Sequence, residues 1–213
     1  MTPKFAEAVD PVFLQVLGLL DRIGQGQNPS PHEERLKIRG WLDQAQAILG
    51  QSQDWQFAKY ALVAWIDEVL IEAPWEGRGW WNENALEVDL FNTRLCNEQF
   101  YVKGKEASAL SRRDALEVFY VCVVLGFRGL YRDPMAAMVL AEPRGLPPDL
   151  ETWARQTGMA IQLGQGRPAI ADSSVAGEGA PPLEGPFVLI ASALGGVVLA
   201  ALNVILAWMV FFT

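Results

Sequence analysis

Residues Asp54 to Ala73 read DWQFAKYALVAWIDEVLIEA. Apolar side chains surround this segment on almost every side through Leu70, which predicts a central helix with neighbours all round. Two acids interrupt it. Asp67 has Val63 and Ile71 one turn away, while Glu68 shares a stripe with Ala64 and Glu72. A carboxylate among apolar neighbours is costly unless partnered, and like charges at i and i+4 repel. Either a cation answers them, with Arg78, Arg128 and Arg132 as candidates, or the acids face a groove and await a partner.

Upstream, Asp10-Pro11 is a helix-start signal, and Val12, Phe13, Val16, Leu17, Leu20 and Ile23 follow with helical spacing. A first helix is therefore expected over Pro11 to Ile23. The loop GQGQNPSP separates it from a second amphipathic helix that ends near Gly50. The basic residues of that helix, Arg35, Lys37 and Arg39, read most simply as a solvated face.

Downstream, a loop at Pro74, Gly77 and Gly79 carries Trp75, Trp80 and Trp81. Asn84 with Glu87 three residues later resembles an N-terminal capping box for a fourth helix running to about Leu95. From Asp67 to Asp89 seven acids face Arg78 alone, so this is the most negative part of the chain. A turn is expected through Glu98, Phe100 and Gly104. Ser111 with Asp114 then reads as the cap of a strongly buried helix ending at Gly126. FRGLYRDP turns the chain, Met135 to Leu140 forms a short helix, and Pro147-Pro148-Asp149 opens a last one reaching about Leu163. No alternating run demands a strand, so the fold class is all-α.

Residues 164–186 are rich in Gly, Pro, Ser and Ala without apolar periodicity, the composition of a flexible linker. Residues 187–212 then run FVLIASALGGVVLAALNVILAWMVFF without an Asp, Glu, Lys or Arg. As a helix this run spans about 39 Å, enough to cross a bilayer. With only Thr213 after it, the expectation is a tail anchor, with residues 1–163 as a cytoplasmic domain. Ser192, Gly196, Ala200 and Asn203 share a narrow stripe that suits helix packing in lipid.

The net charge of −8 argues against nucleic acid and against electrostatic adhesion to anionic lipid. Cys96 and Cys122 are too few for a disulfide framework and are expected reduced. His32 is the single histidine and sits in a Pro-flanked loop; there is no Cys/His metal spacing and no phosphate-cradling glycine loop. No cofactor, metal or catalytic residue is therefore expected. An acid–base pair at Asp67 and Glu68 remains the enzymatic alternative.

Several blocks together resemble the DotU/IcmH family of secretion-system proteins. They are FAKYALVAWIDEVLI at Phe57 to Ile71, Trp80-Trp81, LEVDLFN at Leu86 to Asn92, EQF at Glu98 to Phe100, LEVFYVCVVLGFRGLYR at Leu116 to Arg132, and the terminal apolar run. The resemblance implies a cytoplasmic domain of two small helical bundles followed by one C-terminal transmembrane helix in the bacterial inner membrane. It implies a non-catalytic scaffold beside a large IcmF-like membrane protein (TssM). In type VI systems it also implies contact with cytoplasmic baseplate subunits (TssK-like); the type IVB secretion member is the alternative. By position, Asp67 and Glu68 match the family's paired acids, which line a cleft. Glu72, Trp80, Trp81, Glu87 and Glu98 join them as the expected partner-binding set, and the tail stripe suits a homodimer. The chain departs from the family at Leu95-Cys96-Asn97, where relatives often carry small residues or Gly.

Overall fold

The computed structural model describes residues 1–164 together with 193–197, 200–203 and 205. Two units divide the chain, Met1–Arg167 and Pro168–Thr213. All regular structure among the described residues is helical.

The first unit opens with α1 (Pro3–Gly24), α2 (Pro31–Leu49) and α3 (Gln53–Glu72). Two short helices follow, α4 (Arg78–Glu83) and α5 (Leu86–Phe91), then α6 (Cys96–Ala107) and α7 (Asp114–Val124). A 3₁₀ turn at Gly129–Arg132, α8 (Pro134–Leu140) and α9 (Leu150–Gly164) complete it. As expected from its composition, α3 is the spine. Ala58, Ala61, Leu62, Val63, Ala64, Trp65 and Ile66 on it are all sealed from solvent. The α1–α2 pair lies against it from one side, and α6 and α7 from the other, with α9 against α7. One continuous core joins both sides through α3.

Alanine at 58, 61 and 64 keeps the surface of α3 shallow, so α7 approaches closely enough for the Cys122 thiol to reach the Ala61 carbonyl at 3.6 Å. Trp65 reaches over the end of α7 and donates its indole N–H to the Leu125 carbonyl at 3.3 Å. Between α1 and α2, Glu34 is buried and accepts from Gln15, Arg22 and Lys37. Burial by itself raises its pKa, but the bonds from Lys37 and Arg22 outweigh burial and hold the carboxyl below its ordinary value.

Four expectations need correction. α1 begins at Pro3, not Pro11, which lies inside the helix. Phe5, Ala8 and Val9 extend the buried stripe backwards, and Thr2 is fixed to Asp114 of α7 through its N–H and hydroxyl. This packing outweighs the one backbone hydrogen bond a proline removes. Asp114 is thereby engaged with Thr2, and α7 starts at Asp114 itself, with no Ser111 side-chain cap. The turn expected at Glu98 to Gly104 is helix α6, in which Phe100, Tyr101, Gly104 and Ala107 form the buried face. Gly104 is buried on that face, where a Cβ would meet the Phe119 ring at an ordinary contact distance of 3.4 Å. Finally, the basic residues of α2 are not a free face. Arg35 and Arg39 pair with Asp89, and Lys37 with Glu34.

Residues 165–186, all but the first of the expected linker, lie outside the described residues, as do 187–192, 198–199, 204 and 206–212 of the expected anchor, Ser192 among them. Of the expected packing stripe, Gly196, Ala200 and Asn203 fall in described helical residues and are exposed. Among the described residues no helix is long and apolar enough to cross a membrane. Cys122 is buried and Cys96 half-buried, both as free thiols.

Because α3 and α7 meet across alanines, Ala61→Leu overpacks the centre of the unit and should cost about 1–3 kcal/mol. A melting temperature lowered by roughly 2–12 °C checks this.

Candidate functional site

Near the C-terminal end of α3, a groove of about 270 Å³ is lined by Asp67, Glu68, Ile71 and Glu72 from the spine. Asn82, Ala85, Glu87 and Arg94 form one wall, and Cys96, Asn97, Gly129 and Arg132 the other. Four of the seven residues expected to bind a partner are therefore brought together: Asp67, Glu68, Glu72 and Glu87. Trp80, Trp81 and Glu98 do not line the groove.

Asp67 is buried, and no cation answers it. Its Oδ1 accepts the Trp81 indole N–H and the Leu86 backbone N–H, both at 2.9 Å, and its Oδ2 accepts the Glu87 N–H at 2.8 Å. Leu86 and Glu87 are the first residues of α5, whose own N-cap, Ala85, has no side-chain acceptor. Asp67 therefore caps α5 from another helix, satisfying N–H groups that every helix start leaves open. The capping box expected at Asn84 and Glu87 is not formed. Asn84 instead ends α4. Glu87 turns inward and accepts from the Thr93 hydroxyl at 2.7 Å and the Leu95 N–H at 2.8 Å. The fourth helix expected to run to Leu95 consequently breaks at Phe91, with Asn92 in the left-handed region at φ 54°.

Glu68 closes the opposite wall. It accepts the backbone N–H of Arg128 at 2.6 Å and of Gly129 at 3.0 Å. It also pairs with the Arg132 guanidinium at 2.9 Å. Arg132 extends to Glu72 as well, so one guanidinium relieves the i,i+4 repulsion read from the sequence. Of the three candidate cations, Arg132 is the one that answers; Arg128 contributes its backbone, while its guanidinium donates to the Val123 and Phe127 carbonyls. Gly129 is required twice over. Its φ is +47°, and a Cβ would lie 2.7 Å from the Phe127 ring and 2.9 Å from the Asn97 carbonyl oxygen.

Burial pushes the Asp67 carboxyl up to about 6, against the pull of the Glu87 and Leu86 N–H groups and of Trp81; the nearby Glu87 charge adds to the rise. Burial likewise raises the Cys96 thiol, with Glu87 contributing a hydrogen bond and its charge. Cys96 is therefore a protonated thiol, poorly suited to nucleophilic work.

The remaining expected residues have other duties. Trp81 is fully buried, and Trp80 packs edge-on against His32 with ring centroids 5.8 Å apart. Glu98 pairs with Arg144. The sequence reading did not find Arg94, Asn82, Asn97 or Gly129, since nothing local to them signals a groove. Among the described residues no cluster of His, Cys, Asp and Glu fits a metal ion.

A family model described as "Type VI secretion system protein DotU" matches residues 4–212. No curated protein matches the chain. Among solved structures, the chain is similar to the cytoplasmic domain of TssL from Acinetobacter baumannii, with a TM-score of 0.57 and 24% identity. That match covers 75% of this chain and 98% of the other. At this identity the likeness establishes a shared helical fold.

Two outcomes follow from the capping geometry. Asp67→Ala strands three donors and should cost about 3 kcal/mol at pH 7, lowering the melting temperature by roughly 6–12 °C. The raised pKa means that protonated Asp67 stabilises the fold. That contribution is complete below the ordinary value of 3.8 and is lost as the pH rises through about 6. The advantage of the native chain over Asp67→Ala should therefore shrink by roughly 2 kcal/mol from pH 4 to pH 7; denaturation at a series of pH values measures it.

Proposed function

The chain belongs to the DotU family of type VI secretion system proteins, and from that premise we propose that it is a non-catalytic scaffold of the bacterial inner membrane. In this reading residues 1–163 form the cytoplasmic domain and 164–186 a linker. Residues 187–212 are a single transmembrane anchor, whose stripe at Ser192, Gly196, Ala200 and Asn203 packs against a second copy. The membrane partner is a large IcmF-like protein (TssM), and cytoplasmic baseplate subunits (TssK-like) dock at the acidic groove.

The observation that carries this reading is the span of the family match. It runs through the helical unit and on across the apolar run to residue 212, so both belong to one family pattern. Its description names type VI secretion, which favours that system over the type IVB alternative. The groove supports a scaffold over an acid–base enzyme. Asp67, Glu68 and Glu87 are all engaged with backbone donors, and a general acid or base must instead be open to substrate. Docking then falls to the outer groups. The side chains of Glu72 and Arg132 are 44% and 48% exposed, and Arg94 is exposed.

Affinity purification of the tagged full-length chain from mildly solubilised native membranes tests the proposal. The native chain should recover an IcmF-like protein together with baseplate-type subunits. Glu72→Lys, which reverses an exposed charge and leaves the backbone bonds of Asp67, Glu68 and Glu87 in place, should lose most of the baseplate subunits and keep the IcmF-like protein. Recovery of the chain alone, or of itself only, would overturn the scaffold reading.

A further inference from the structure

Helix α8 reads PMAAMVL and carries no polar side chain. Its buried residue is Ala137, and Leu140 packs half-buried against the core. The larger side chains point the other way: Met135, Met138 and Val139 are 72%, 69% and 70% exposed. At i, i+3 and i+4 they share one face of the helix. Among the described residues no other helix of the first unit exposes more than two large apolar side chains. A helix that served only to close this unit would turn its larger side chains inward, since the gain from burial follows apolar area. An outward apolar face marks a contact surface, and two methionines make it an adaptable one.

Chain continuity ties this face to the groove. Arg132 lines the groove two residues before α8 begins at Pro134. Asp133, between them, caps the helix, its Oδ1 accepting the Met135 N–H at 2.9 Å. The other segment of the same wall adds Leu95, which is exposed and adjoins Cys96. The two segments meet where a Gly129 Cβ would stand 2.9 Å from the Asn97 carbonyl oxygen. A second copy of the chain does not fit the α8 face by itself, because a stable dimer buries roughly 800 Å² and 20–30 residues on each side. A bilayer surface does not fit either. Residues 133–143 contain Asp133 and Glu142 but no Lys or Arg, whereas helices that lie on lipid carry a basic polar face. A protein already held at the groove mouth meets neither objection, since α8 then enlarges a contact that has begun elsewhere.

On the scaffold reading above, we propose that the outer face of α8, with Leu95, is the apolar half of the docking surface whose polar half is the groove mouth. It receives an apolar segment of the same cytoplasmic partner. Glu72 and Arg132 set where that partner lands, and Met135, Met138 and Val139 supply the area that holds it.

A photoreactive benzophenone side chain in place of Met138, in the tagged full-length chain irradiated in native membranes, tests this, with the adducts identified by mass spectrometry. The expected adduct is to a cytoplasmic subunit that also co-purifies with the native chain, and Glu72→Lys in the same chain should reduce it at least ten-fold. Adducts to a second copy or to lipid alone, or none at all, would overturn the proposal. Met138→Asp should lower recovery of that subunit at least ten-fold, while recovery of the IcmF-like protein and the melting temperature stay unchanged because the side chain is exposed. If Met138→Asp recovers as much of the subunit as the native chain while Glu72→Lys loses it, the groove docks its partner without α8, and the scaffold reading stands alone. A native chain that recovers no cytoplasmic subunit sinks both.

Discussion

A carboxylate taken out of water must be given donors, and the shape of this molecule around its spine follows from how Asp67 and Glu68 obtain theirs. Neither could be satisfied within α3, whose own N–H groups are already bonded along the helix. Asp67 therefore draws in the start of α5, and Glu68 the turn at Arg128 and Gly129. Two distant pieces of chain are thereby fixed to adjacent positions on one helix. Glu87, oriented because Asp67 holds its backbone, then fixes the turn at Thr93 and Leu95. The groove is the space left between segments held in this way. Its walls are fixed by these hydrogen bonds together with the core packing of Trp81, Leu86 and Phe127.

The elements of the first unit were legible wherever burial is periodic. α2, α3, α7, α8 and α9 lie close to where apolar spacing puts them. What misled the reading was local punctuation. Asp10-Pro11 is a sound start signal, yet Phe5, Ala8 and Val9 carry the buried stripe past it. Gly104 looked like a turn and lies on the buried face of α6. Asn84 with Glu87 looked like a capping box, but a carboxylate seventeen residues before Asn84 does the capping, and a local motif cannot reveal a tertiary cap.

The site was legible as chemistry and illegible as geometry. Unusual acids in an apolar helix do mark the groove, and Arg132 was among the cations named to answer them. Yet counting seven acids against one arginine between Asp67 and Asp89 overstated the exposed negative charge. Asp89 is answered by Arg35 and Arg39 of α2, and Asp67, Glu68 and Glu87 spend their oxygens inward. Opposing charges came from parts of the chain that no local window includes.

This inward commitment limits what a partner can gain from the groove. The groups left at its mouth are Glu72, Arg94 and Arg132, and Arg132 already bridges two carboxylates. Half-exposed pairs of this kind contribute little affinity, typically below about 1 kcal/mol each, and act mainly on encounter and register. A partner that replaced Arg132 at Glu72 with its own cation would exchange one such pair for another. A partner docking there as proposed would therefore need apolar contact beyond the groove, while the groove would set where and in which orientation it lands. In the proposed scaffold the buried carboxylates would act indirectly, by holding the walls in place. Neutralising them would move those walls.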